Sequence, residues 1–176
     1  VLEIAFGGHT VAFNSLTLAG GRATSAFPRY GGCIHNNGGN LFFNSSRLLD
    51  SSANRGGGIY NIDGDLSFTT STLVGNSATG SGGGIRSVCV NANANVALTI
   101  TNSTIACNIA TNDGGGIYIG SGTLIISDSI VSGNSAIDDG GGIFNTSREN
   151  MFITHSTISS NSATNDGGGI FNREGT

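Results

Sequence analysis

The motif Gly-Gly-x-Ile occurs six times, at residues 31–34, 56–59, 82–85, 114–117, 140–143 and 167–170, with its isoleucines 25, 26, 32, 26 and 27 residues apart. A period in the twenties that runs the length of a chain leaves few folds open, because each repeat is too small to bury its own apolar face and must stack on its neighbours. A second motif, apolar-x-x-Asn-x-Ala, falls between the first at residues 73–78, 105–110, 131–136 and 158–163. Degenerate copies at 18–23 and 48–53 carry Gly21 and Ser51 in place of the Asn. A third segment alternates with period two, as in Leu66-Ser67-Phe68-Thr69, Leu98-Thr99-Ile100-Thr101 and Met151-Phe152-Ile153-Thr154. Short alternating runs rich in Thr, Ile and Phe read as half-buried strands.

Each repeat therefore holds three short strands separated by Gly, Asn, Asp and Ser turns. The prediction is an all-β fold, a right-handed parallel β-helix or solenoid, of about six turns plus a partial seventh, forming one domain over residues 1–176. Stacked coils place equivalent residues in columns about 4.8 Å apart. Ile34, Ile59, Ile85, Ile117, Ile143 and Ile170 form one inward column, which Ile4 extends at the start of the chain. Phe43, Phe68, Ile100, Ile126 and Ile153 form another, and Ala23, Ala53, Ala78, Ala110, Ala136 and Ala163 mark a tight corner. Asn76, Asn108, Asn134 and Asn161 stack at a bend, where amides bond to one another and to freed backbone groups.

With 30 glycines, one proline and 10% charged residues, the composition resembles a low-complexity segment, but 37% hydrophobic content in a regular pattern is enough to fold. All seven basic residues are arginine, the net charge is −4 and no basic run is present, so nucleic acid is excluded as a partner. No apolar run of membrane length is found. The chain begins at Val1 without Met and reads as a processed chain or a segment of a longer one. Among the three cysteines, Cys89 and Cys107 share the one turn that carries an insertion and form the candidate disulfide pair.

The two principal motifs together resemble the repeats of the chlamydial polymorphic outer membrane proteins, whose passenger regions carry many copies of G-G-A-[ILV] and F-x-x-N. Here the first is written Gly-Gly-Gly-Ile and the second has Leu, Ile or Val for Phe, as in Val131-Ser132-Gly133-Asn134. The resemblance implies a secreted, often adhesive passenger on a bacterial outer surface, hence an extracellular or cell-surface location. No translocating barrel accompanies the repeats in this sequence.

Three function classes follow. Catalysis on a polysaccharide, as a lyase or hydrolase, needs grouped carboxylates or calcium-binding acids beside a base. The acids here are dispersed: Asp63 and Asp65 in a Gly-containing turn, Asp128 on a strand and Glu149 in a loop, while His9, His35 and His155 fall in different strand classes. The best acidic group is the column Asp113, Asp139 and Asp166, each just before a glycine triplet, which is the candidate calcium site and the sole cofactor expectation. An adhesin would use the residues after each motif isoleucine, His35, Tyr60, Arg86, Tyr118, Phe144 and Phe171, as an outward row for a carbohydrate, a host surface or a lateral interface. Threonine arrays of the ice-binding kind do not repeat cleanly. The sequons at Asn44, Asn102 and Asn145 would accept glycans in a suitable host.

The insertion loop, about residues 86–97, includes the run Asn91-Ala92-Asn93-Ala94-Asn95 and reads as a polar surface loop. No polar cap is visible at either end, so Leu2, Ile4 and Phe6 at one and Ile170 and Asn172 at the other are expected to form an end-to-end interface. A non-enzymatic structural subunit of a surface filament or stalk, polymerising head to tail, is the reading these features favour.

Overall fold

The computed structural model describes residues 2–5, 8–24, 29–91 and 96–174. Within them the chain winds as a β-solenoid whose strands pair only with their counterparts one coil away, and every pairing is parallel. No helix occurs among the described residues. Three strands of three to five residues make up most coils. The first sheet has seven strands, from Leu2–Ala5 to Ile170–Asn172, and contains the isoleucine column. The second has six, from Thr10–Asn14 to Met151–Thr154, and contains the phenylalanine column; the third has six, from Thr17–Ala19 to Thr157–Ser159. A further ladder of two-residue strands, from Ser52–Ala53 to Ser162–Ala163, forms at the alanine corner.

The expected columns are in register. Ile34, Ile59, Ile85, Ile117, Ile143 and Ile170 pair in sequence, and Phe43, Phe68, Ile100, Ile126 and Ile153 do the same. Phe13 adds a further layer: Phe13, Phe43 and Phe68 stack with ring centroids 4.7 and 4.8 Å apart, the coil spacing itself. The third sheet contributes Leu48, Leu73, Ile105 and Val131, sealed from water like the central isoleucines. Burying side chains of this size stabilises the fold by about 1.5–3 kcal/mol each.

One register differs from the sequence expectation. Leu2, not Ile4, stands beside Ile34, and Ile4 stands beside Asn36. Both residues point inward, and alternation of period two cannot distinguish registers two residues apart. The choice places two more residues in the turn that follows the first strand, as Leu2 to Val11 spans nine residues where Ile34 to Leu41 spans seven.

The glycine motif is explained at its corner. Its first glycine adopts a left-handed conformation, φ +66° at Gly114. A Cβ on the second, Gly115, would meet the carbonyl oxygens of Gly141 and Ser135, so the backbones of adjacent coils touch there. The third position is less constrained. Cys33 occupies it in the first coil, buried with its Sγ 2.9 Å from Ser51 Oγ.

Two polar ladders run through the interior beside the apolar columns. Asn76, Asn108 and Asn134 are fully buried. Asn76 donates its backbone N–H and its side-chain Nδ2 to Asn108 Oδ1 at 2.9 and 3.0 Å, and Asn108 repeats both bonds to Asn134 at 3.0 Å. Asn134 does the same to Asn161. The second ladder lies at the corner between the second and third sheets: the N–H groups of Ser46, Ser71, Ser103 and Ser129 each donate to the serine hydroxyl one coil on, ending at Ser156. A residue with positive φ precedes each rung, such as Thr70 at +51° and Asn102 at +49°. Side chains thus satisfy the backbone groups that the tight corners free from the sheets.

Candidate functional site

The row His35, Tyr60, Arg86, Tyr118, Phe144 and Phe171 exists as a column, each residue paired with the next. It is outward relative to the isoleucines but not open to solvent along its length, for Tyr60 is 6% and Phe144 4% exposed. The rings cover one another. Tyr118 stacks on Phe144 at 5.1 Å and Phe144 on Phe171 at 5.4 Å, while the Arg86 guanidinium carbon lies 3.9 Å from the Tyr118 ring centroid. Tyr30, outside the expected row, stacks on Tyr60 at 4.3 Å. A sugar needs a free ring face to stack on, and cross-strand packing covers both faces of Tyr118 and Phe144. Cross-strand pairs of this kind stabilise a sheet by about 0.2–1 kcal/mol each.

His35 packs against Tyr30 and Tyr60 beside Glu3. Burial lowers its pKa below the ordinary histidine value, and the Glu3 carboxylate acts in the opposite direction. Its buried Nε2 has no hydrogen-bond partner, which fits a neutral ring.

Asp113, Asp139 and Asp166 occupy one column at the glycine corner, and the carboxylates of Asp113 and Asp139 accept from the protein. The Asp166 N–H donates to Asp139 Oδ1 at 3.0 Å, the Asp139 backbone donates to Asp113, and Ser81 Oγ lies 3.4 Å from Asp113 Oδ2. Burial raises the Asp113 pKa, with Asp138 and Asp139 adding to the rise and the two hydrogen bonds opposing it. Among the described residues no three His, Cys, Asp or Glu side chains group as a metal would require.

Cys89 and Cys107 are not joined to each other. The expected disulfide fails because sharing a turn of sequence does not place them together: Cys89 follows the isoleucine strand Ile85–Val88, whereas Cys107 follows Thr104–Ala106 at a corner with φ +54°. Asn145 is buried and donates to Asn172 Oδ1 at 2.8 Å, which removes it as a glycan acceptor in this fold.

Asp63 and Asp65 have a role that their spacing concealed. Asp63 Oδ1 accepts the N–H groups of Val90 and Asn91 at 2.8 and 3.1 Å, and Asp65 Oδ1 accepts that of Ala97 at 2.9 Å. Together they hold both stems of the insertion loop, whose residues 92–95 lie outside the described ones. Asp128 sits in a turn at φ +49°, not on a strand. A shallow depression of about 610 Å³ is lined by Ser147, Arg148, Glu149 and Glu174, but Arg148 and Glu174 form an exposed ion pair at 3.0 Å there.

Of the residues expected at the ends, Leu2 is 44% exposed, Ile4 and Ile170 are half-buried and Asn172 is exposed; Phe6 lies outside the described residues. The same columns are sealed in the middle of the stack.

The features define a parallel β-solenoid repeat protein with stacked apolar columns, polar ladders and dispersed ionisable groups. Residues 128–146 and 155–173 match the Chlamydia polymorphic membrane protein repeat. Each match runs from the corner after the second sheet through the asparagine rung and the glycine corner to the isoleucine strand, which is the unit the two principal motifs delimit. No curated protein and no solved structure matches the chain. No helix of the described residues is long and apolar enough to cross a membrane.

Proposed function

We propose that this chain is a non-enzymatic solenoid displayed on a bacterial surface, acting as a structural subunit of a filament or stalk and extended head to tail by coil upon coil. The observation that carries this reading is the direction of the asparagine ladder. In every bond from one rung to the next, from Asn76 to Asn161, the N-terminal rung donates and the Oδ1 of the C-terminal rung accepts. Such a stack presents one kind of rung at each end, so a further coil adds in one orientation only. The half-open columns at Leu2 and Ile4 and at Ile170 and Asn172 are the surfaces that the next coil would cover. The repeat match supports surface display. Dispersal of the carboxylates over several corners, with Asp63 and Asp65 engaged by backbone N–H groups, supports a role without catalysis.

Electron microscopy of the purified chain at low and high concentration tests the reading. Long, regular fibres one solenoid wide are the expected result; particles that remain single at high concentration would overturn it.

A further inference from the structure

The glycine corner carries a charge gradient along the solenoid axis. The position just before the glycine pair reads Tyr30, Arg55, Ser81, Asp113, Asp139 and Asp166 from the first coil to the sixth, in the register fixed by the backbone bonds and the Tyr30–Arg55 bridge. One residue earlier stand Arg29 in the first coil and Asp138 in the fifth. One edge of the molecule is thus basic in its first two coils and acidic in its last three. Arg29, Arg55 and Asp166 are exposed, and Asp138 and Asp139 half-exposed. Two apolar side chains, Ile109 and Ile137, stand on the adjoining two-residue sheet and the turn beside it, 55% and 54% exposed, where other coils mostly carry Ser, Thr or Asn.

We infer that this edge is the interface of a side-by-side, antiparallel dimer of the chain, with its two-fold axis between the third and fourth coils. The arrangement is self-complementary: a coil on one copy faces the coil equally far from the axis on the other. Arg29 then meets Asp166 of the second copy, and Arg55 meets its Asp139. Parallel side-by-side packing would instead oppose like charges, and so is disfavoured. The acidic half gains from such a partner, since Asp138 and Asp139 already disfavour the ionised form of Asp113. Ile109 and Ile137 lie close to the axis and would be covered. Six coils of about 4.8 Å make an edge roughly 29 Å long; with a strip about 15 Å wide, the interface buries roughly 900 Å² in total, below the standard size, so the dimer is weak and salt-sensitive.

The inference does not depend on how the terminal coils stack, and the test separates the two. Sedimentation equilibrium of the full chain in low and high salt, below the concentration at which fibres form, is expected to show a monomer–dimer equilibrium weakened about tenfold or more by salt. Arg55→Glu and Asp139→Arg should each weaken the dimer about tenfold or more, and the double variant should restore it. Rescue within one copy is not available, because three coils, about 14 Å, separate the two positions. Circular dichroism confirms that each variant is folded. A monomer at every accessible concentration in low salt, association that grows past two copies under the same charge dependence, or a double variant no better than the singles would each overturn the inference.

Discussion

Replacing Asn108 by alanine removes a side chain with partners on both adjoining coils. Its Nδ2 donates to Leu73 O at 3.1 Å and Asn134 Oδ1 at 3.0 Å, and its Oδ1 accepts two bonds from Asn76. The groups left behind are buried, and each unsatisfied one costs about 1–3 kcal/mol. Asn108→Ala is therefore expected to lose about 3 kcal/mol or more, lowering the melting temperature by roughly 6–12 °C, whereas Asn161→Ala, in a half-open coil, should lose less. Thermal melts followed by circular dichroism compare them.

Two ionisable residues give stability opposite dependences on pH. The folded state holds His35 neutral below its ordinary value of 6.5, so the unfolded chain takes up the proton first. The His35 contribution is complete above that value and is lost as pH falls through the interval beneath it. Asp113 is raised above its ordinary 3.8, so the folded state takes up its proton first. Its ionised form costs stability at neutral pH, and that stability returns as pH falls through the raised value toward 3.8. Asp113→Asn should accordingly melt higher than the parent at pH 7, with the advantage shrinking in acid. His35→Gln should flatten the decline that begins as pH falls below about 6.5. Denaturation curves from neutral pH down to the ordinary carboxylate value of 3.8 check both signs.

At the level of elements, Asp63 and Asp65 hold the insertion at its two stems. Asp63 has φ +53°, so glycine removes its carboxylate without straining the backbone. Asp63→Gly is expected to make the segment around residues 88–96 the first point of cleavage in limited proteolysis while moving the melting temperature by less than about 2 °C.

The strands and columns were legible because Gly-Gly-x-Ile and apolar-x-x-Asn-x-Ala repeat both residue type and spacing. The serine ladder repeats as faithfully, with Ser46, Ser71, Ser103, Ser129 and Ser156 each two residues ahead of the apolar position. Serine's abundance in turns disguised it. Other features were not written locally at all. Whether Tyr60 and Phe144 are exposed depends on the rings one coil above and below, not on the side to which each points. The bonds from Asp63 to Val90 and Asn91 cross 27 and 28 residues of sequence. The register of Leu2 was ambiguous because an alternating strand is symmetric under a shift of two.

For the whole molecule, every coil binds only the coil above and the coil below, and this uniformity carries a mechanical consequence. Tension applied between the first and last coils acts along the backbone hydrogen bonds, so the end coil peels away while the rest of the stack remains intact. A coil such as that from Ile117 to Ile143 contains 26 residues. It occupies about 4.8 Å of the stack but reaches about 90 Å when drawn out, so each release should lengthen the tether by about 85 Å. Single-molecule stretching should record a staircase of such steps at low force instead of one rupture. A stalk made of these coils would yield in instalments under drag and wind back when the load falls.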